Sequence, residues 1–327
     1  MKLDHAVTLY VQLIQANGCH GASIASVLRM FVKSMGANRD LNSILPEEVR
    51  TFLDGDRPLT RYWHRKHSAL LGFFRYALAR SLVLRIPLPV NTPRCRQSFQ
   101  PYVYSESEFA GLVDAISCLP TTQVEPCTLR TLLLLLYGTG LRLSEALHVS
   151  LADVDLQQNL LTIRDTKFYK TRWVPIGSDL AQILRNYVSS THGWRNDMSA
   201  TPLLISRDGG PVGQHVVRRS FARLKSMTGI RRDDTARYQP RLHDLRATFA
   251  VHRLTAWYRQ GVDVQKLLPL LSTHLGHASI AATQVYLPMT PELLIEASCR
   301  FERYATLQEN LHERIEPAGP LGQTLSR

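Results

Sequence analysis

An unbroken apolar run, Leu132 to Leu136, ends at Gly138-Thr139-Gly140 and passes at once into Leu141-Arg142-Leu143-Ser144-Glu145-Ala146-Leu147. A helix that is apolar all round must be buried all round, so the chain has to wrap other elements about Leu132–Leu136. The glycines end that helix and let the backbone turn tightly. The next helix then starts with an arginine at its mouth. Arg142 is poorly placed there for a core and well placed for a phosphate, although a structural ion pair with Glu145 is the blander account.

Charge points the same way. The formal net charge is +12 over 327 residues, which favours a polyanionic partner, nucleic acid before an anionic membrane. Residues 1–100 hold 14 Lys+Arg against 6 Asp+Glu, and the rest 25 against 21. The N-terminal part therefore reads as a binding module. The length allows two domains of roughly 100–200 residues each. The five cysteines are odd in number and scattered, with no C-x-x-C; a disulfide framework or zinc site is disfavoured and a reducing compartment fits. No apolar run nears the ~18 residues of a membrane span, and the start lacks a signal-peptide pattern, so a cytoplasmic protein is expected, associated with the nucleoid when bound to DNA.

Helical periodicity predicts helices over 4–17, 22–35, 46–53 and 59–82. On the last, Trp63, His67, Leu70, Leu71, Phe74 and Leu78 should face the core. Arg61, Arg65, Ser68, Gly72 and Arg75 fall on another face, which could lie along a phosphate backbone or be a solvated basic face. Residues 86–104 carry four prolines and no periodicity, marking an extended linker. Ser105 and Glu108 have the spacing of a capping box. Helices to about 116 and over 125–137 follow, then β-runs over 160–164 and 172–176 around a basic turn, read as a hairpin. Leu203–Ser206 is a further candidate strand. Over 213–227, Arg218, Arg219, Arg223 and Lys225 oppose Val217, Phe221 and Leu224, a candidate for groove insertion or a basic solvent face. A loop over 231–240 precedes helices at 243–259, 263–272, 279–286 and 290–310. The expected fold is mainly α with a small antiparallel sheet, in two domains forming a clamp: a helical bundle over 1–85, a linker over 86–104, an α+β domain over 105–310, and a disordered tail over 311–327.

His243 and Arg246, three apart at a helix start, share one face. Two arginines from separate helices can hold two oxygens of one phosphate, with His243 adding a hydrogen bond. Such a set stabilises a phosphorane-like transition state without a metal or other cofactor. Lys167, on the hairpin turn, could protonate a leaving 5′ oxygen; Lys170 competes for that role. His277 is a further donor, and Tyr286 lies nine residues beyond it. A phenol ordinarily ionises near ~10, but beside arginines and a lysine its phenolate is favoured. Attack on phosphorus would leave a covalent phosphotyrosine. Singly, each residue has a duller account: His243 as a helix cap, His274 and His277 as surface residues, Tyr286 as core.

Together, Gly138-Thr139-Gly140-Leu141-Arg142-Leu143-Ser144-Glu145-Ala146, Lys167 before Val174-Pro175, Leu242-His243-Asp244-Leu245-Arg246, and Leu275-Gly276-His277 with Tyr286 resemble the tyrosine recombinase (phage integrase) family over about 105–300. The resemblance implies that Arg142 and Arg246 bind the scissile phosphate, Lys167 is the proton donor, His243 and His277 fill the histidine-type positions, Tyr286 is the nucleophile and Glu145 supports the first arginine. Residues 1–85 look like the family's core-DNA-binding domain, with Arg61, Arg65 and Arg75, and Arg218 and Arg219 downstream, as DNA contacts. The implied activity is site-specific recombination of double-stranded DNA at a specific site, with integration or excision of a mobile element, by a homotetramer on two duplexes, with or without partner recombinases. Alternatives are topoisomerase-like relaxation and a DNA-binding protein without catalysis. Two departures stand out: Thr273-His274 precedes Leu275, where the family is apolar, and Pro288 follows Tyr286 closely. The absence of an arm-binding domain before the first helix leads us to expect a simpler, transposon-encoded or Xer-like recombinase.

Overall fold

The computed structural model describes residues 1–17, 22–56, 59–94, 100–120, 123–164, 171–192, 201–234, 238–277, 279–286, 294–299 and 301–302. The chain forms two compact units, Met1–Phe99 and Gln100–Arg327.

In the first unit, α1 (Leu3–Ala16), α2 (Ala22–Met35), α3 (Pro46–Asp54) and α4 (Arg61–Ala79) enclose Leu3, Leu28, Phe31, Leu70, Phe73 and Phe74, all fully buried. Phe31 meets Phe74 edge-on at 6.1 Å, a geometry aromatic quadrupoles favour. Pro at the first position of α3 costs no hydrogen bond, and Glu48 accepts from the Leu45 N–H at 2.9 Å while pairing with Arg39. Helix α4 begins where Thr60 Oγ1 accepts from the Tyr62 N–H, as expected of an N-cap threonine.

Trp63, Leu70 and Phe74 face the core as their spacing predicts, and His67 stacks on Trp63. Leu78 does not: it is exposed, while Phe73 and Ala77 take inward positions. The buried arc is centred on Leu70 and Ala77, and Leu78 lies about 100° round from Ala77. Gly72 also departs from expectation. A Cβ there would sit 2.6 Å from Tyr10 Oη, so this glycine is covered by the tip of a tyrosine from α1 instead of opening a face to phosphate. Part of the proline-bearing stretch belongs to this unit too, because Ile86 and Leu88 pack on its core.

The second unit is built around α6 (Pro126–Thr139). Leu129, Leu132, Leu133 and Leu135 are fully buried and Leu136 nearly so, as the apolar run predicts, while Leu134 is half-buried. It is flanked by α8 (Ser178–Thr191) and α10 (Asp244–Arg259). Helix α8 was not anticipated, although Leu180, Ala181, Leu184 and Tyr187 supply its buried stripe. Ser105 and Glu108 form the reciprocal capping box at the start of α5 (Glu106–Asp114). Upstream, fully buried Tyr104 donates its N–H to Thr248 Oγ1 and its hydroxyl to the Arg241 carbonyl, fastening the start of the unit to α10.

The sheet is antiparallel in the order β1 (Val154–Asp155), β2 (Leu160–Ile163), β3 (Arg172–Pro175). Leu161 faces Val174 and Ile163 faces Arg172. Leu203–Ser206 is not a strand of this sheet; among the described residues it makes the single bridge Ile205–Pro211, just after the bridge Ser150–Pro202. On α9 (Gln214–Met227), Val217, Phe221 and Leu224 are buried, and Arg218 and Arg219 are exposed. Helix α11 (Val264–Leu275) runs past the expected end at Ser272, and α12 (Ala281–Gln284) is a single turn. Of the expected helix over 290–310, residues 294–299 and 301–302 are described and helical; the tail over 311–327 lies outside the described residues. Among the described residues no helix is long and apolar enough to cross a membrane.

Candidate active site

The site is assembled on the C-terminal end of α11. A helix end leaves carbonyls without intrahelical partners, at the negative pole of the helix dipole. Three successive carbonyls here each receive a different arginine. Arg172 Nε donates to the His274 carbonyl at 2.9 Å, Arg246 Nη2 to Leu275 at 2.5 Å and Arg142 Nη2 to Gly276 at 3.1 Å. The three come from separate elements: Arg172 from β3, Arg246 from the first turn of α10, and Arg142 from the N-cap of α7 (Leu143–His148).

Two glycines make this convergence possible. Gly140 caps α6 with φ +66°, and a Cβ on it would lie 2.5 Å from the Phe249 ring and 3.0 Å from Leu275. Its carbonyl accepts from Arg246 Nη1 at 2.8 Å. Gly276 caps α11, also at φ +66°, and a Cβ there would meet Arg172 Nη1 at 2.8 Å. Both positions combine left-handed backbone with close approach, which only glycine tolerates.

Glu145 is the shared counter-ion. Its Oε1 accepts from Arg142 Nη1 at 2.6 Å and Arg172 Nη1 at 3.2 Å; its Oε2 accepts from the Arg142 N–H at 3.0 Å and Arg172 Nη2 at 2.8 Å. Burial opposes its charge, but the hydrogen bonds from Arg172 and the Arg142 backbone prevail, and the carboxyl is held down to about 2. Arg142 keeps about a third of its side chain exposed (32%), whereas Arg172 is 9% exposed and Arg246 3%. Burial lowers Arg246 to about 10, and the charge of Arg142 pushes the same way; Tyr286 and Glu145 oppose this.

The remaining groups lie within electrostatic reach of this cluster. His243 holds the N-cap position of α10 without a side-chain capping bond; desolvation, and then the charges of Arg246 and Arg241, depress its pKa, although the residue is exposed at the surface. It lines a cavity of about 210 Å³ with Arg142, Ser144, Gln214 and Arg218. His277 is lowered to about 4, first by burial and then by Arg246, Arg142 and Arg172. Its Nδ1 shares a 2.8 Å hydrogen bond with Thr283 Oγ1, and its ring lies 6.0 Å from that of Tyr286. Tyr286 is half-buried, its ring packed against the cluster of Phe249, Leu271 and Leu275. It is carried on tight turns, with the Thr283 N–H donating to Ile280 and the Tyr286 N–H to Thr283. His274 is not a surface residue. It stacks on Phe249, and its Nε2 donates to the Thr139 carbonyl at 2.8 Å.

The structure thus gathers Arg142, Glu145, His243, Arg246, His277 and Tyr286. Lys167 and Lys170 lie outside the described residues. Arg218 reaches the same cavity, while Arg219 is exposed elsewhere on α9. Arg61, Arg65 and Arg75 are exposed on α4 in the other unit, Arg65 beside a shallow cavity with Ser23, His64 and Ser68. Arg172 and Thr283 were missed from sequence. A signal existed for Arg172. In Arg172-Trp173-Val174, strand alternation puts the arginine on the inward face with Val174 and turns Trp173 outward; Trp173 is 71% exposed. An inward arginine on a strand demands a buried partner.

Helices wrapped on a buried α6, a small sheet and a tyrosine beside an arginine–histidine cluster define a class of phosphoryl-transfer fold. The chain belongs to the phage integrase family, whose model matches residues 105–292. It is a tyrosine-type site-specific recombinase, an enzyme that breaks and rejoins DNA. The integrase/recombinase y4rB of Sinorhizobium fredii is 37% identical over 74% of this chain and 78% of that protein. The tyrosine recombinase XerD of Bifidobacterium longum is 31% identical over 76% and 78%. Among solved structures, a lambda integrase tetramer bound to a Holliday junction superposes with TM-score 0.67 at 17% identity, covering 88% of this chain and 77% of that one. The Tn1549 transposon integrase with a circular intermediate DNA gives 0.66 at 16%, covering 91% and 99%. These two likenesses speak to the fold.

Proposed function

We propose that Tyr286 is the nucleophile and that Arg142, Arg246, His243 and His277 hold the phosphate it attacks. The Tyr286 hydroxyl gives its proton to solvent as its oxygen adds to phosphorus, the 5′ oxygen leaves with a proton from Lys167, and a 3′-phosphotyrosine remains. Attack by a 5′ hydroxyl reverses the step, so the strand is resealed without ATP. The observation that supports this most is the docking of Arg142 and Arg246 on neighbouring carbonyls of the α11 terminus, one turn of chain from the His277–Tyr286 pair. Guanidiniums fixed before substrate arrives need no reorganisation when charge builds on phosphorus. For His277 to donate to phosphate through Nε2, Thr283 must donate to Nδ1.

Arg218, in the cavity beside Arg142 and His243, and Arg219 are assigned to flanking phosphates, as are Arg61, Arg65 and Arg75. The acting form is a homotetramer on two duplexes, a reading the junction-bound lambda integrase supports. The reaction is integration or excision of a mobile element, in line with the transposon integrase among the fold's neighbours.

The test is covalent trapping. The recombination site is mapped by sequencing DNA trapped on the wild-type protein, then built into a nicked suicide substrate. Wild type becomes attached to a 3′ phosphate, and Tyr286→Phe does not. Attachment persisting in Tyr286→Phe would overturn the nucleophile assignment.

A further inference from the structure

We propose that Arg172 is a positioning residue for strand cleavage: it clamps both oxygens of Glu145 and offsets its charge, leaving Arg142 a net cation for the scissile phosphate. This rests on the reading of Arg142 as a phosphate ligand.

The geometry separates Arg172 from a DNA contact. It lies on the inward face of β3, opposite Ile163, which is itself buried. Its Nε, Nη1 and Nη2 are all engaged inside the protein, on the His274 carbonyl and both oxygens of Glu145. Its side chain is 9% exposed. Among the described residues, Arg142 is by contrast held at two of its side-chain groups, Nη1 on Glu145 and Nη2 on Gly276. An arginine carries five N–H donors, so the rest of its fork is left for a ligand.

The electrostatics give the reason for a third arginine. An arginine bonded to one carboxylate is a neutral pair, and a neutral pair attracts a phosphodiester weakly. Glu145 is nonetheless needed, because it fixes both the backbone and the guanidinium of Arg142. Adding Arg172 to the same carboxylate resolves the conflict. The three guanidiniums and one carboxylate carry a net charge of +2, opposite a phosphate whose charge grows from −1 towards −2 as the nucleophile adds. The arrangement is also rigid. Arg172 ties β3 to α7 through Glu145 and to α11 through His274, so the start of β3 is referenced to the phosphate site. A misplacement of about 1 Å at a reacting group costs on the order of 10²-fold.

The experiment measures single-turnover cleavage of the suicide substrate and, separately, the Kd for intact site DNA, in wild type, Arg172→Ala, Arg172→Lys and the double variant Arg172→Ala/Glu145→Gln. Arg172→Ala should cleave roughly 10–100-fold more slowly, the range for removed outer-sphere partners, with its Kd within about threefold of wild type because no group that touches phosphate is removed. Arg172→Lys keeps the charge and loses the fork, so its rate should fall between the two. The double variant should cleave faster than Arg172→Ala, because removing the uncompensated carboxylate restores the field at Arg142. A brace without an electrostatic role would leave the double variant no faster than the single. That result overturns the proposal, as does a wild-type rate in Arg172→Ala or a loss confined to Kd. If Arg172→Ala does not fold, the neutral Arg172→Gln with and without Glu145→Gln decides by the same comparison. Failure of the nucleophile assignment is read separately: attachment in Tyr286→Phe sinks that reading, whereas clean loss there with Arg172→Ala at full rate sinks only this one.

Discussion

The chain uses arginine in two ways. On α4, Arg61, Arg65 and Arg75 are exposed and form no ion pair among the described residues. At the end of α11, Arg142, Arg172 and Arg246 are wholly or largely buried, each fixed by a backbone carbonyl. The first set is free to adapt to a polyanion, at the cost of freezing long side chains when it arrives. The second has lost that freedom on folding. The proposed roles therefore divide affinity and rate between the two units, and variants should separate the two.

The largest effect is expected at Arg246. Arg246→Ala removes two guanidinium hydrogen bonds from the carbonyls of Gly140 and Leu275. Cleavage should fall by about 10²–10³-fold, the loss associated with one transition-state donor. Each carbonyl left unpaired should also cost roughly 1–3 kcal/mol of stability. Single-turnover cleavage and denaturant melts check the two parts. A loss seen only as weaker DNA binding would place Arg246 with the α4 arginines and break the comparison.

Next comes Gly276→Ala. The left-handed backbone disfavours a side chain by about 1–2 kcal/mol, and its Cβ would press on the Arg172 guanidinium at 2.8 Å. Cleavage should drop by about 10–100-fold with Kd unchanged. Full activity in Gly276→Ala would mean that the carbonyl ladder tolerates displacement.

How far this was legible beforehand differs by region. Leu132–Leu136 and the glycines after it demanded a buried helix with a tight exit, and the motifs placed Arg142, His243, Arg246, His277 and Tyr286 in one site. The capping box at Ser105 and the inward stripe of α9 were local patterns, readable because they involve neighbours within a turn or two. Arg172 was not read, because its partners, Glu145 and the His274 carbonyl, are 27 and 102 residues away. Gly72 was misread for a similar reason: its meaning lies in Tyr10, on another helix. His274 looked like a surface histidine and is a half-buried strut, because nothing in its local sequence names Phe249 or Thr139 as neighbours.

The buried cluster should also leave a mark on acid stability. His277 titrates near 4 in the folded protein, below the ordinary value of about 6.5. The unfolded chain therefore takes up the proton first. Stability from this group is intact above about 6.5 and is lost as pH falls towards 4. Thermal melts of wild type should decline across that window, and His277→Asn should flatten the decline. An unchanged slope in the variant would mean that His277 titrates as if exposed, and that the cations around it are not felt.

The smallest effect per residue belongs to α4. Arg61→Ala, Arg65→Ala and Arg75→Ala should each weaken binding a few-fold and lower the slope of log K against log salt by about 0.9 for each phosphate no longer neutralised. Cleavage at saturating DNA should not change. No folding penalty is expected, since none of the three is buried or paired among the described residues. The salt slope is the decisive reading because it counts the phosphates the protein neutralises and is blind to how well the reacting groups are aligned. If one of these variants cleaved slowly at saturation while its salt slope stayed put, that arginine would be acting on the rate, and the division of labour between the two units would fail at that residue.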